Sequence, residues 1–255
     1  MDFVFNLIYE SQTIPFRQGV KFKNYNMVSI ISVCAYILAL IINGTIGVKT
    51  GKSTSDSYHL VVTPPPWAFS IWGIIFTTTL IALLWSIHTV SWSLETHLYF
   101  WLYCFTISVW ILLWAVVSKI TILLCKIVLI LLTINIYLLW KSTLVLDNDD
   151  WSIYLMRGTI AFQLGWTSSA QCLNFCICLV HVFGVTQDMI SKLVWICLII
   201  AHSIYLCLAY FHSKQYNKNM LLNFGGYLLS MTWAIMGVAI SYNNYSSGRA
   251  MNKLK

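Results

Sequence analysis

Few residues of this 255-residue chain are of types that carry acid–base or metal chemistry, and their spacing does not assemble them. His181 and His202 stand alone in apolar stretches, with no carboxylate there to orient either imidazole, so both read as core histidines. Cys172, Cys176 and Cys178 lack zinc-ligand spacing, and no histidine cluster accompanies them. The acidic run Asp147, Asn148, Asp149, Asp150 has oxygens that can hold a cation, but a solvated loop that caps a helix is the simpler reading. No glycine-rich phosphate loop and no nucleophile elbow is present. The expectation is a protein that is not an enzyme and uses no cofactor or metal.

What remains is aromatic chemistry. The stretch Thr63-Pro64-Pro65-Pro66-Trp67-Ala68-Phe69-Ser70-Ile71-Trp72-Gly73 holds three of the four prolines and opens a long apolar run. Trp110, Trp114 and Trp166 recur later in apolar segments of their own. Such rings offer dispersion and stacking to a planar apolar molecule, and an uncharged amide such as Gln163 can fix its orientation. The competing reading of Trp67, Phe69 and Trp72 is an aromatic anchor at a membrane–water boundary. Trp67 and Trp72 are five positions apart, about 140° off one face of an ideal helix. Both can face one pocket only if Trp67 belongs to the extended proline segment.

These residues must be placed by membrane-spanning helices. The chain is 59% hydrophobic and 9% charged, against about 25% charge in soluble domains. Its apolar runs have the length of roughly 20 residues that crosses a hydrocarbon core. The fold class is therefore all-α, a polytopic transmembrane bundle of about seven spans. A polar segment, 1–26, precedes one helical domain over 27–241, and a polar tail, 242–255, follows it. The spans start near Met27, Trp67, Leu98, Ile120, Thr159, Leu193 and Met220. Lys49–Tyr58 and the segment with Glu95 and His97 read as loops, and Trp151–Met156 as an interfacial turn. Residues 1–26 offer no apolar core long enough for a cleavable signal peptide.

Polarity inside the spans is local. Gln163, Thr167, Gln171 and Asn174 share one face of the fifth span, which should point into the bundle and lose hydrogen bonds if either glutamine becomes leucine. Lys126 stands about two turns into the fourth span, where its stem can snorkel to the surface. Ser70, Gly73 and Thr77 form a small-residue stripe on the second span, and Gly226, Ser230, Trp233 and Gly237 another on the seventh. Stripes of this kind suit close helix contacts or a homodimer. All eight cysteines fall in apolar spans and read as free thiols. The net charge of +7 is spread thinly, which gives nucleic-acid binding no support and leaves the lipid bilayer as the evident partner. Basic residues divide seven to eight between the two sides, so they do not fix the orientation.

Thr63, Pro64, Trp67, Phe69, Ser70, Ile71, Trp72 and Gly73 resemble the longer branch of the tryptophan-rich sensory protein and translocator protein family (TspO/MBR). Further likeness lies in Trp110 with Trp114, in the run Leu164-Gly165-Trp166-Thr167-Ser168-Ser169-Ala170, and in Trp233-Ala234-Ile235-Met236-Gly237. Pro66 replaces a glycine usual in that branch, and Phe76 a common tyrosine. The resemblance implies an aromatic pocket, formed by Trp67, Phe69, Trp72, Trp110, Trp114, Gln163 and Trp166, for a flat apolar ligand such as a porphyrin or sterol. A membrane protein that binds, senses or moves such a ligand is the expectation. A transporter or channel-like protein with a polar path along the fifth span is the alternative. A receptor ranks third and an intramembrane enzyme last.

Overall fold

The computed structural model describes residues 21–89, 92–146, 151–216 and 219–253. The acidic run at 147–150 and most of the polar N-terminal segment lie outside these described residues. Among the described residues seven long helices follow one another: α1 (Lys21–Ser57), α2 (Ile71–Thr89), α3 (Leu94–Trp114), α4 (Lys119–Thr143), α5 (Trp151–His181), α6 (Gln187–Gln215) and α7 (Met220–Lys253). A short 3-10 turn, Pro66–Ser70, leads into α2. The bundle is a polytopic helical membrane fold.

Six of these helices contain stretches long and apolar enough to cross a membrane. α5 does not, and its position explains why it need not. It is the hub of the bundle, packing most extensively on α7 and α4 and also on α2 and α6. Gln163, Thr167, Ser168, Ser169 and Asn174 are all buried there. Neighbouring helices, rather than lipid, surround these polar groups. The outward faces are apolar instead: Ile120, Ile127, Leu131 and Ile134 on α4, and Ile196, Ile199 and Ile200 on α6, are exposed.

Polar groups on the α5 face solve their hydrogen bonding locally or across the bundle. Thr167, Ser168 and Ser169 donate to carbonyls one turn back, at Gln163, Leu164 and Gly165. His202 of α6 lies between two partners, with Nε2 3.1 Å from Ser169 Oγ and Nδ1 2.7 Å from the Tyr227 hydroxyl of α7. His97 of α3 is likewise tied, its Nδ1 2.9 Å from Ser32 Oγ on α1.

Several sequence-based boundaries move. α1 continues through Lys49 to Ser57, so the polar segment expected as a loop is helical. Glu95 and His97 belong to the start of α3, where Ser93 caps the helix by accepting from the Thr96 backbone N–H. The expected turn at Trp151–Met156 is the first part of α5. The polar C-terminal segment continues α7 as far as Lys253. In each case the polar stretch extends an existing helix, because polarity alone stops a span without stopping a helix.

The two small-residue stripes differ. On α7, a side chain at Gly226 would run into the Gly158 carbonyl of α5, and one at Gly165 of α5 into Ser230 and the Tyr227 backbone. Here two backbones touch. On α2, Ser70, Gly73 and Thr77 are exposed, and nothing lies within 4 Å of where a Gly73 side chain would begin. That stripe faces away from the other described helices.

Candidate functional site

The proline segment is clamped before it reaches the rings. Thr63 closes a turn with Leu60, donating its backbone N–H to the Leu60 carbonyl and accepting from the Leu60 N–H on its hydroxyl. Ser241 of α7 donates to the Thr63 carbonyl at 2.6 Å, and the Trp233 indole N–H to the Ala68 carbonyl at 3.0 Å. Pro64 and the fully buried Ala68 stand over Gly237, where a β-carbon would lie 3.1 Å from Pro64 Cβ. Pro65 is extended at φ −63° and ψ 158°, and Pro66 begins the 3-10 turn, where its missing N–H costs nothing. Trp67 thus belongs to a tight turn, and α2 itself begins at Ile71.

From that fixed start the rings separate. Trp67 is 40% exposed and sets its edge on Trp233, at 5.4 Å and 72°, away from Trp72. Phe69 meets Trp166 edge-on at 6.1 Å. Trp72 is central: it stacks on Phe76 at 5.6 Å, lies 5.7 Å from Trp110, and meets Trp166 at a right angle 6.2 Å away. Trp110 stacks on Trp114 at 5.9 Å, and Trp114 touches Tyr58, which in turn touches His181. Phe69, Trp72, Trp110, Trp114 and Trp166 therefore form one cluster contributed by the 3-10 turn, α2, α3 and α5.

Beneath Trp72 the cluster turns polar. Tyr36 of α1 donates to the Phe76 carbonyl at 3.0 Å, and its ring stacks on Tyr103 at 6.4 Å. Tyr103 neighbours Gln163. Thr79 Oγ1, the Tyr103 hydroxyl, Trp110 Nε1, Gln163 Nε2 and Trp166 Nε1 are buried without a well-formed hydrogen bond, the Thr79 hydroxyl lying beside Tyr36 and the Gln163 side chain beside Tyr103. Such groups are almost always paired in native interiors, and an unpaired one costs about 1–3 kcal/mol. The concentration of them around one aromatic wall is the distinctive feature of this region. Among the described residues no group of histidine, cysteine or acidic side chains is arranged to hold a metal ion.

A family model described as TSPO-like protein matches residues 24–251, nearly the whole chain. The chain belongs to the TSPO-like family. No curated protein and no solved structure matches it. In this TSPO-like protein the family match runs from α1 to α7 and so covers every ring of the cluster. Spacing puts Tyr103 on one stripe with Trp110 and Trp114, and Thr79 on the same side of its span as Trp72, but sequence reasoning named neither of them, nor Tyr36, as a site residue. It also missed the role of Trp233, whose N–H pins the turn that aims Trp67 and Phe69. Gln171 is only half-buried, and it is the Gln171 backbone carbonyl that serves a partner, Lys126 Nζ at 2.9 Å.

Proposed function

We propose that this TSPO-like protein binds a flat, apolar small molecule such as a porphyrin or sterol between Trp72, Trp110 and Trp166, without catalysing a reaction. The observation that carries the reading is the N–H and hydroxyl set at Thr79, Tyr103, Trp110, Gln163 and Trp166, buried against stacked rings without well-formed hydrogen bonds. A ligand that opens this cluster gains ring contact from the indoles and gives these donors acceptors. Phe69 and the half-exposed Trp67 stand on the proline turn as the rim, and Trp114 extends the wall toward Tyr58. A polar transport path along α5 is less favoured, because the α5 hydroxyls bond their own helix and the face is closed by α7.

The test is a porphyrin titration of the purified protein followed by quenching of tryptophan fluorescence, with a sterol as competitor. Trp72→Leu is expected to weaken binding by about 1 kcal/mol or more, and Trp72→Phe by less, because phenylalanine keeps part of the stacked contact. Equal affinity in all three proteins, or no saturable binding by the parent to either molecule, overturns the assignment.

Gln163 separates binding from stability. Its Nε2 makes no well-formed hydrogen bond, with the Tyr103 side chain beside it, so Gln163→Leu should cost no more than about 1 kcal/mol of stability. Porphyrin affinity should nevertheless fall several-fold if the amide meets an acceptor on the ligand. Unchanged affinity with lowered stability would mark Gln163 as helix glue.

A further inference from the structure

Lys126 lies seven residues into α4, about 10 Å from its start. It stands at the edge of the lipid-facing stripe formed by Ile120, Leu123, Leu124 and Ile127. Its ammonium donates to the Gln171 carbonyl at 2.9 Å and sits 5.4 Å from the centre of the Phe175 ring. Phe175 is itself 38% exposed, so this end of Lys126 is at the outer surface and not sealed in the bundle. Its ionisable neighbours are the thiols Cys172, Cys176 and Cys178 of α5 and Cys197 of α6, and none is a carboxylate.

These contacts place Lys126 in a groove. α4 packs on both α3 and α5, and α6 packs chiefly on α5, with little contact between α4 and α6, so that Phe175 of α5 stays exposed beside Lys126. The walls are apolar, with Ile127 on one side and Ile196, Ile199 and Ile200 on the other exposed to lipid. Lys119, at the start of α4, and Lys192, early in α6, are both exposed at the same membrane end, where Asp188 in the first α6 turn supplies the one carboxylate of these helices. A cation at this depth needs partners; the Gln171 carbonyl takes one of the three ammonium N–H groups, and lipid phosphates suit basic pockets between transmembrane helices.

We propose that the α4–α6 groove holds one anionic phospholipid, with a phosphate oxygen on the Lys126 ammonium and an acyl chain along the exposed isoleucines. Phosphate is favoured over a free fatty-acid carboxylate because the groove opens sideways to the bilayer and two further lysines flank its polar end.

Native mass spectrometry of the full chain from nanodiscs of equal phosphatidylglycerol and phosphatidylcholine tests this. The parent should retain one phosphatidylglycerol, at least ten-fold preferred over phosphatidylcholine. Lys126→Arg should keep that preference, and Lys126→Gln should lower phosphatidylglycerol retention about ten-fold while melting as the parent does in pure phosphatidylcholine. No headgroup preference in the parent, or undiminished retention in Lys126→Gln, overturns the proposal. Should Lys126→Gln fail to fold, the parent's own headgroup ratio and the Arg variant still decide. Oleate added in detergent distinguishes the other source: Lys126-dependent retention of oleate in place of phosphatidylglycerol would assign the groove to a free fatty acid and remove the phospholipid.

Discussion

Gly226→Ala is expected to lower the thermal midpoint of the purified protein by about 5 °C or more, while Gly225→Ala leaves it unchanged or raises it. In an isolated helix both changes should stabilise, since alanine is better than glycine by up to about 1 kcal/mol. The two neighbours differ only in what they face. Nothing lies within 4 Å of a Gly225 β-carbon, whereas one at Gly226 meets the Gly158 carbonyl and the Phe162 backbone nitrogen of α5. Backbone cannot rotate aside, so α5 and α7 must separate. Overpacking of this kind costs roughly 1–3 kcal/mol, occasionally more, and for a chain of this size each kcal/mol moves the midpoint by about 2–4 °C. Because α5 carries Gln163 and Trp166, Gly226→Ala should also weaken porphyrin binding without touching the ligand. A melting curve for each variant in the same detergent checks the contrast. Equal midpoints at 225 and 226 would show that α5 and α7 are farther apart than described.

The pair also shows what a sequence can and cannot say about small residues. The α7 stripe of Gly226, Ser230, Trp233 and Gly237 is a contact surface, used by α5 at one end and by the proline turn at the other. The stripe of Ser70, Gly73 and Thr77 at the start of α2 is exposed, and among the described residues nothing lies within 4 Å of a Gly73 β-carbon. Spacing states that an approach is permitted, but which helix makes it depends on the arrangement of all seven.

Aromatic content was legible for a related reason. Large rings must bury themselves somewhere, so Trp72, Trp110, Trp114 and Trp166 were candidates wherever they occurred, and the family resemblance ordered them. Trp67 shows the limit. Its separation from Trp72 by an awkward helical angle was readable, yet its contact with Trp233 was not, because that pairing depends on Pro64 resting over Gly237 some 173 residues later in the chain. Of the polar floor only Gln163 was legible, from its place on the polar face of the fifth span, and the gathering around it was not. Tyr36, Thr79, Tyr103 and Gln163 come from four different helices, and only packing brings them together.

Arg157 was the furthest from expectation, and replacing it should be the most damaging single change outside the helix crossings. In the sequence it stands just ahead of the fifth span, which is expected to start near Thr159, and so counts among the basic residues between spans. In the structure it lies in the second turn of α5, 1% exposed. Its Nε and Nη2 donate to the Thr143 carbonyl at 3.1 and 2.7 Å, and Nη2 also to the Leu146 carbonyl at 2.8 Å. Thr143 is the last residue of α4 and Leu146 follows three residues on, and the Thr143 carbonyl also accepts from the Leu146 backbone N–H at 3.2 Å. The guanidinium therefore closes the α4 terminus and fixes where the chain turns toward α5. Arg157→Met keeps much of the stem but leaves those carbonyls without a charged donor, and hydrogen bonds to charged groups are worth about 1.5–3 kcal/mol each. A loss of about 3 kcal/mol or more is expected, read as a large drop in thermal midpoint with new thiol labelling at a cysteine placed at position 144. Arg157→Lys should recover only part, because an ammonium cannot reproduce the fork that serves both carbonyls. A fully stable Arg157→Met protein with unlabelled position 144 would mean that water or another group already satisfies the end of α4.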